Sequence, residues 1–130
     1  MINPFQQHGA FSWCELMTTD LQAAEAFYVN LFGWTMTDGP VEGMEYRVMS
    51  AGGQSIGGLM TIPPNSPPMP PHWRTTVTVE DVDATTKMAE DLGGKVLMQP
   101  QEIPTVGKFS VIQDPQGAVI TLITYAARTS

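Results

Sequence analysis

Apolar positions recur along this chain with two periods, and each switch between them marks an element. From Ala10 to Met17 alternate residues share a face, the period of a strand. Alternation sets Phe11, Trp13, Glu15 and Met17 against Ser12, Cys14 and Leu16, and the second set is expected to pack under a helix. From Leu21 the spacing changes. Leu21, Ala24, Phe27, Tyr28 and Leu31 fall on one helical face, which predicts a helix with Phe27 and Tyr28 in its core. Asp20 is placed to cap it, because its carboxylate accepts from first-turn N–H groups that lack an intrahelical partner. Gly33 ends it, since the left-handed conformation costs glycine nothing.

Thr35 to Thr37, Glu45 to Ser50 and Ser55 to Ile62 read as three further strands, separated by the turn signals Asp38-Gly39-Pro40 and Ala51-Gly52-Gly53-Gln54. Gly57-Gly58 inside the last of them predicts a bulge, or a place where something approaches the backbone closely. Residues 63–71, PPNSPPMPP, are a stiff connector that can join neither a ladder nor a helix interior. After it, His72 to Glu80 is a strand and Val82 to Leu92 a helix, capped by Asp81 and stopped by Gly93-Gly94. Lys95 to Met98, Gly107 to Gln113 and Ala118 to Tyr125 are strands. Gln99 to Thr105, with two prolines, reads as a loop, and Asp114-Pro115-Gln116-Gly117 as a hairpin turn.

The plan therefore occurs twice. Asp20 corresponds to Asp81, Leu21 to Val82, Phe27 to Met88, Leu31 to Leu92 and Gly33 to Gly94. On this alignment Gly57 falls on Thr121. One strand–helix–strand–strand–strand half would struggle to bury its apolar face alone. The expectation is an α+β single domain over 1–130: module one at 9–62, the linker at 63–71 and module two at 72–126. The two βαβββ modules would curve eight strands into a cup with the helices outside.

Composition narrows the partners. A net charge of −7 with six Lys+Arg makes nucleic acid and anionic membranes poor partners, since an acidic surface repels phosphate. No apolar run is long enough to cross a bilayer. MINPFQQHGAF has no secretory signature, so the expected location is cytoplasmic. The single cysteine, Cys14, allows neither an internal disulfide nor a cysteine zinc cluster. Read to the helix side, it is no nucleophile.

The chain resembles the vicinal oxygen chelate superfamily of glyoxalase, bleomycin-resistance and extradiol dioxygenase types. TTDLQAAEAFYVNLFGW at 18–34, VEDVDATTKMAEDLGGKV at 79–96 and DPQGAVITL at 114–122 carry the likeness. Within it the chain looks most like the glyoxalase-related, 27-kDa-antigen group, through Phe11 to Leu16, Pro71-His72-Trp73 and Phe109 to Ala118. The resemblance implies a homodimer and a small-molecule ligand. It also implies lyase chemistry of the lactoylglutathione-lyase kind, resting on metal ligands from the first and fourth strands of each half. Carried onto this sequence, those positions are Trp13, Gly57, Arg74 and Thr121. Indole only donates, guanidinium is a permanent cation, glycine has no side chain and a lone threonine is weak, so no metal or other cofactor is expected there. A metal-dependent alternative would use His8, His72 and Glu15.

The metal-free reading places a ligand against Trp13, Gly57, His72, Arg74 and Thr121, with Glu15 and Arg74 as a base–cation couple for proton transfer. Each has a plainer reading. Trp13 as core, His72 as a hydrogen-bonded strand start and Glu15–Arg74 as an ion pair closing the halves remain open. So does a non-catalytic binding or interaction module.

Overall fold

A computed structural model describes residues 3–39, 45–63 and 69–126. Among the described residues, eight strands and two helices give the α+β class and two βαβββ repeats. The first repeat is β1 (Phe11–Thr18), α1 (Leu21–Phe32), β2 (Thr35–Asp38), β3 (Tyr46–Ala51) and β4 (Gln54–Thr61). The second is β5 (His72–Thr78), α2 (Val82–Asp91), β6 (Lys95–Ile103), β7 (Gly107–Gln113) and β8 (Val119–Tyr125). The chain forms two compact units, residues 13–74 and residues 1–12 with 75–130. The division falls inside β1 and inside β5, so the amino-terminal arm belongs to the unit that holds the second repeat.

In the unit of residues 13–74, β1 pairs parallel with β4, and β2–β3 and β3–β4 pair antiparallel. Both helix ends form as the sequence predicts. Asp20 accepts from the Ala23 N–H at 3.0 Å, and Gly33 adopts φ 73° while its N–H reaches the Val29 carbonyl. Gly52 and Gly53, both at positive φ, close the β3–β4 hairpin in two residues, the turn whose twist suits paired strands. Leu16, Met49 and the fully buried Leu59 form the core, with Leu21, Ala24, Tyr28, Trp34 and Met36 packed on it.

Two expectations fail on the helix side. Phe27 and Leu31 are exposed, because the stripe that packs is Leu21, Ala24 and Tyr28, and α1 buries no residue completely. Cys14 is also exposed, although Leu16, two residues on, is core.

The unit of residues 1–12 and 75–130 repeats the plan. β5 pairs parallel with β8, and β6–β7 and β7–β8 pair antiparallel. Val79, Val82 and Leu122 form its core, with Val77 and Ile112 against it. Asp81 caps α2 through the Ala84 N–H at 3.2 Å. The Thr86 hydroxyl, buried on α2, meets Ser110 of β7 at 2.7 Å. The arm adds to the end of β5, with Gly9 N–H on the Thr78 carbonyl and Thr78 N–H on the Ala10 carbonyl.

The expected loop at 99–105 is instead largely strand, since β6 runs to Ile103 through Pro100. The register slips between Met98 and Gln101, so the proline sits at an irregularity where a missing N–H costs no ladder bond. The predicted linker lies mostly at 64–68, outside the described residues.

The strand registers correct the alignment of the repeats. Met49 faces Gly57 while Ser50 faces Ser55, so Ile56 is an extra residue, a bulge, in β4. Beyond it the correspondence shifts by one. Glu15 faces Gly58 across β1–β4, as Thr76 faces Thr121 across β5–β8. The counterpart of Thr121 is therefore Gly58, not Gly57.

Candidate functional site

On the sheet face opposite α1, the unit of residues 13–74 carries a chain of polar side chains. Trp13 and Glu15 share this face of β1, and Tyr46 reaches it from β3. The Trp13 indole N–H donates to the Tyr46 hydroxyl at 2.8 Å, and that hydroxyl donates to Glu15 Oε2 at 2.6 Å. Indole nitrogen is a donor only, so it fixes the direction of the chain. The phenol must send its own proton onward to the carboxylate.

Space for the phenol comes from glycine. A Cβ at Gly58 would lie 1.8 Å from the Tyr46 oxygen, and one at Gly39 2.9 Å from Cδ1 of the ring. Gly57 is small for another reason. Its Cβ would lie 2.5 Å from the Cys14 carbonyl oxygen, so the close approach there is by the β1 backbone. The glycine pair thus marks close approach, one of the two alternatives left open by the sequence, and the bulge falls beside the pair at Ile56.

Arg74 and His72, at the start of β5, belong to the same unit. His72 Nδ1 lies 2.9 Å from the Pro70 carbonyl oxygen, and its Nε2 lies 3.3 Å from Arg74 Nη2. A carbonyl can only accept and a guanidinium can only donate. The contacts therefore require a neutral imidazole with its proton on Nδ1. Arg74 Nε is buried and has no hydrogen-bond partner among the described residues.

Burial raises the Glu15 pKa above the ordinary 4.5, against the opposing pull of the Tyr46 hydrogen bond and the Arg74 charge. Burial likewise lowers that of Arg74, with Glu15 opposing. The two charges feel each other without a contact ion pair. The ion pairs among the described residues are Arg47 with Glu25 and Asp38, and Lys108 with Asp83. The expected Glu15–Arg74 contact is thus replaced by Glu15–Tyr46, because Gly58 lets the phenol in first.

The structure brings together Trp13, Glu15, His72 and Arg74 of the predicted residues, and adds Tyr46 and Gly58. Thr121 belongs to the other unit, where its hydroxyl is buried without a partner among the described residues. His8 also lies there and accepts the Glu80 N–H at Nδ1, 2.9 Å away. Among the described residues no three His, Cys, Asp or Glu side chains gather as a metal cluster. That unit holds a cavity of about 360 Å³ under the arm, lined by Asn3, Phe5, Glu80 and Tyr125 among others, and none of the candidate residues lines it. Alternation presents Tyr46 only as one strand position among others. The signal available was Gly58, a glycine in a strand at a place where a large neighbour is near.

With this geometry in view, comparison with known proteins places the chain. It belongs to the Glyoxalase/Bleomycin resistance protein/Dioxygenase superfamily, whose profile matches residues 10–122. A Mycobacterium bovis protein named "Putative glyoxylase CFP32" is 40% identical over 116 residues, 88% of this chain and 44% of that protein. The anthracycline biosynthesis protein DnrV of Streptomyces peucetius is 31% identical over 128 residues, 88% of this chain and 46% of that protein. The chain thus spans less than half the length of these curated relatives.

Among solved structures, methylmalonyl-CoA epimerase from Mycobacterium tuberculosis superposes with a TM-score of 0.69 at 17% identity, covering 98% of this chain and 94% of that one. A homoprotocatechuate 2,3-dioxygenase variant from B. fuscum gives 0.63 at 16% identity, covering 98% and 36%. At such identities the likeness is one of fold.

The positions at which the superfamily resemblance implies a metal do not fit one here. With the register corrected they are Trp13, Gly58, Arg74 and Thr121. The first donates its proton to Tyr46, the second is filled by a phenol that itself donates to Glu15, and the third is a cation.

Proposed function

We propose that this chain is a glyoxalase-type small-molecule-binding protein, or an enzyme of the lyase or isomerase kind, that works without a metal. Its ligand lies on the face bearing Trp13, Glu15, Tyr46, His72 and Arg74. A cytoplasmic location and a homodimer belong to the same reading.

One observation carries it: a part-buried carboxylate held by a directed Trp13–Tyr46 chain, with an arginine near enough to feel it but not in contact. Such a couple suits proton transfer beside a carbonyl. Glu15 takes the proton as the C–H bond breaks, and the electron pair moves to the carbonyl oxygen, where Arg74 stabilises the enolate charge. Return of the proton to carbon completes an isomerisation and leaves Glu15 as it began.

Native mass spectrometry of protein taken directly from cells tests the reading. A bound small molecule that is lost in Arg74→Gln is the expected result. A stoichiometric metal ion whose removal abolishes ligand retention would overturn it.

A further inference from the structure

We infer that the face of residues 13–74 takes a small monoanionic carboxylic acid, docked on Arg74, and that the acid binds together with a proton that goes to Glu15. The inference rests on the ligand face proposed above and names a ligand class for its binding role: an acid seated there holds Glu15 protonated, so it occupies the face as a bound ligand or inhibitor and is not the substrate whose C–H bond Glu15 breaks.

Arg74 is a cation with donor capacity in reserve. Nη2 makes a long contact to a neutral imidazole, and Nε has no acceptor. A buried donor left unpaired costs free energy, and a guanidinium is shaped for a carboxylate. The nearest carboxylate, Glu15, is turned to Tyr46 instead.

An anion arriving at Arg74 cancels the positive charge that helps keep Glu15 ionised, and adds repulsion of its own. Glu15 is part-buried and held by Tyr46, so two anions and one cation on this face would leave a net negative charge with little water to screen it. Protonating Glu15 restores neutrality. Oε2 is committed as acceptor to the phenol, while Oε1 makes no hydrogen bond among the described residues, so the proton goes on Oε1.

The other titratable groups on this face are Tyr46 from β3 and His72 and Arg74 from β5. β4 contributes glycine there, and Arg47 turns to the helix side to meet Glu25. Neutrality selects a monoanion over a phosphate dianion. The Trp13 N–H is already engaged, so what Trp13 offers is its ring face, which favours an acid with a flat apolar body.

Calorimetric titration with benzoate and phenylpyruvate, in buffers of different ionisation heat and across mildly acid to mildly alkaline pH, tests this. Benzamide and inorganic phosphate serve as controls. The expected result is uptake of about one proton per acid bound, with affinity falling by up to about tenfold per pH unit on the alkaline side. Benzamide takes up none. In Glu15→Gln the acids bind with no uptake and no pH slope. Tyr46→Phe keeps the uptake but moves it to higher pH, which gives a second reading should Glu15→Gln fold poorly.

Acids that bind through Arg74 with no proton uptake would overturn the inference and leave the ligand face standing. Acids that fail to bind, or that bind Arg74→Gln and Arg74→Lys as well as the parent, would overturn both.

Discussion

The two repeats share a backbone plan and divide its chemistry unequally. In the cores on the helix side the counterparts are apolar for apolar. Leu16 corresponds to Val77, Met49 to Ile112 and Leu59 to Leu122, and all are core or packed against it. On the opposite face, Glu15, Gly58 and Tyr46 correspond to Thr76, Thr121 and Phe109. Packing against a helix constrains one face of each sheet, because a close-packed core tolerates little change in volume. The other face is free to diverge. In the first repeat the difference is an absence: with no side chain at 58, the Tyr46 phenol has the space it occupies, and a polar group stands at a position that has no side chain of its own.

Writing the second repeat into the first should have the largest effect. Gly58→Thr puts a Cβ where the Tyr46 oxygen lies, expelling the phenol and leaving both Trp13 N–H and Glu15 without their partner. Overpacking together with an orphaned buried group should cost about 3–5 kcal/mol in urea unfolding. Combining it with Tyr46→Phe and Glu15→Thr, which completes the second repeat's set, should recover much of that loss, because the three residues form one coupled group. A triple variant no more stable than the single one would mean that the two faces differ in backbone and not only in side chains.

Tyr46→Phe comes next, and it carries a pH signature. The lost hydrogen bond was made to a carboxylate, so the cost should be about 1.5–3 kcal/mol where Glu15 is ionised and smaller in acid. Glu15→Gln works in the other direction. The folded pKa of Glu15 is raised above 4.5 by burial, so its contribution to stability is complete below that value and is lost as pH climbs through the folded one. Relative to the parent, Glu15→Gln should therefore gain stability as pH rises through this window. Denaturation midpoints that run parallel for parent and variant across the range would show that the carboxylate is not desolvated.

Much of the fold was legible before any coordinates. The Asp caps, the glycine stops, the hairpin glycines and the doubled order of elements are local signals, each with a local cause. Phe27 and Leu31 misled because helical spacing gives a stripe but not its centre. Pro100 misled because a proline rules out a regular ladder position and not an irregular one. The site was legible in part. Trp13 and Arg74 are named by the family resemblance, and Glu15 and His72 by alternation from them along single strands. Tyr46 could be named by neither, since its role depends on a cross-strand register, and that register depends on the Ile56 bulge, which shifted the alignment from Gly58 to Gly57.

In the second repeat the same comparison predicts a gain. Thr121 has a buried hydroxyl with no partner among the described residues, whereas its counterpart has no side chain at all. Thr121→Val keeps the shape and removes the unpaired group, so it should stabilise by about 1 kcal/mol. A loss of that size would show that the hydroxyl has a partner.

The smallest effects lie where the repeats agree. Asp20 and Asp81 cap their helices through the same bond, at 3.0 and 3.2 Å, and both are exposed. Each change to alanine should cost about 0.5–1 kcal/mol, nearly the same in the two repeats. The helices behind the caps differ. α2 anchors Val82 and Thr86 in the core at its first turns, while α1 buries no residue completely. Losing the Asp81 cap therefore loosens a segment tied to the core, and its cost should register in global unfolding. Losing the Asp20 cap should register mainly as local opening. Amide exchange should then accelerate in the first turn of α1 by more than the change in unfolding free energy requires, and in α2 by no more than that change. Equal behaviour of the two helices would mean that the exposed apolar side of α1 is held by contacts as firm as those beneath α2.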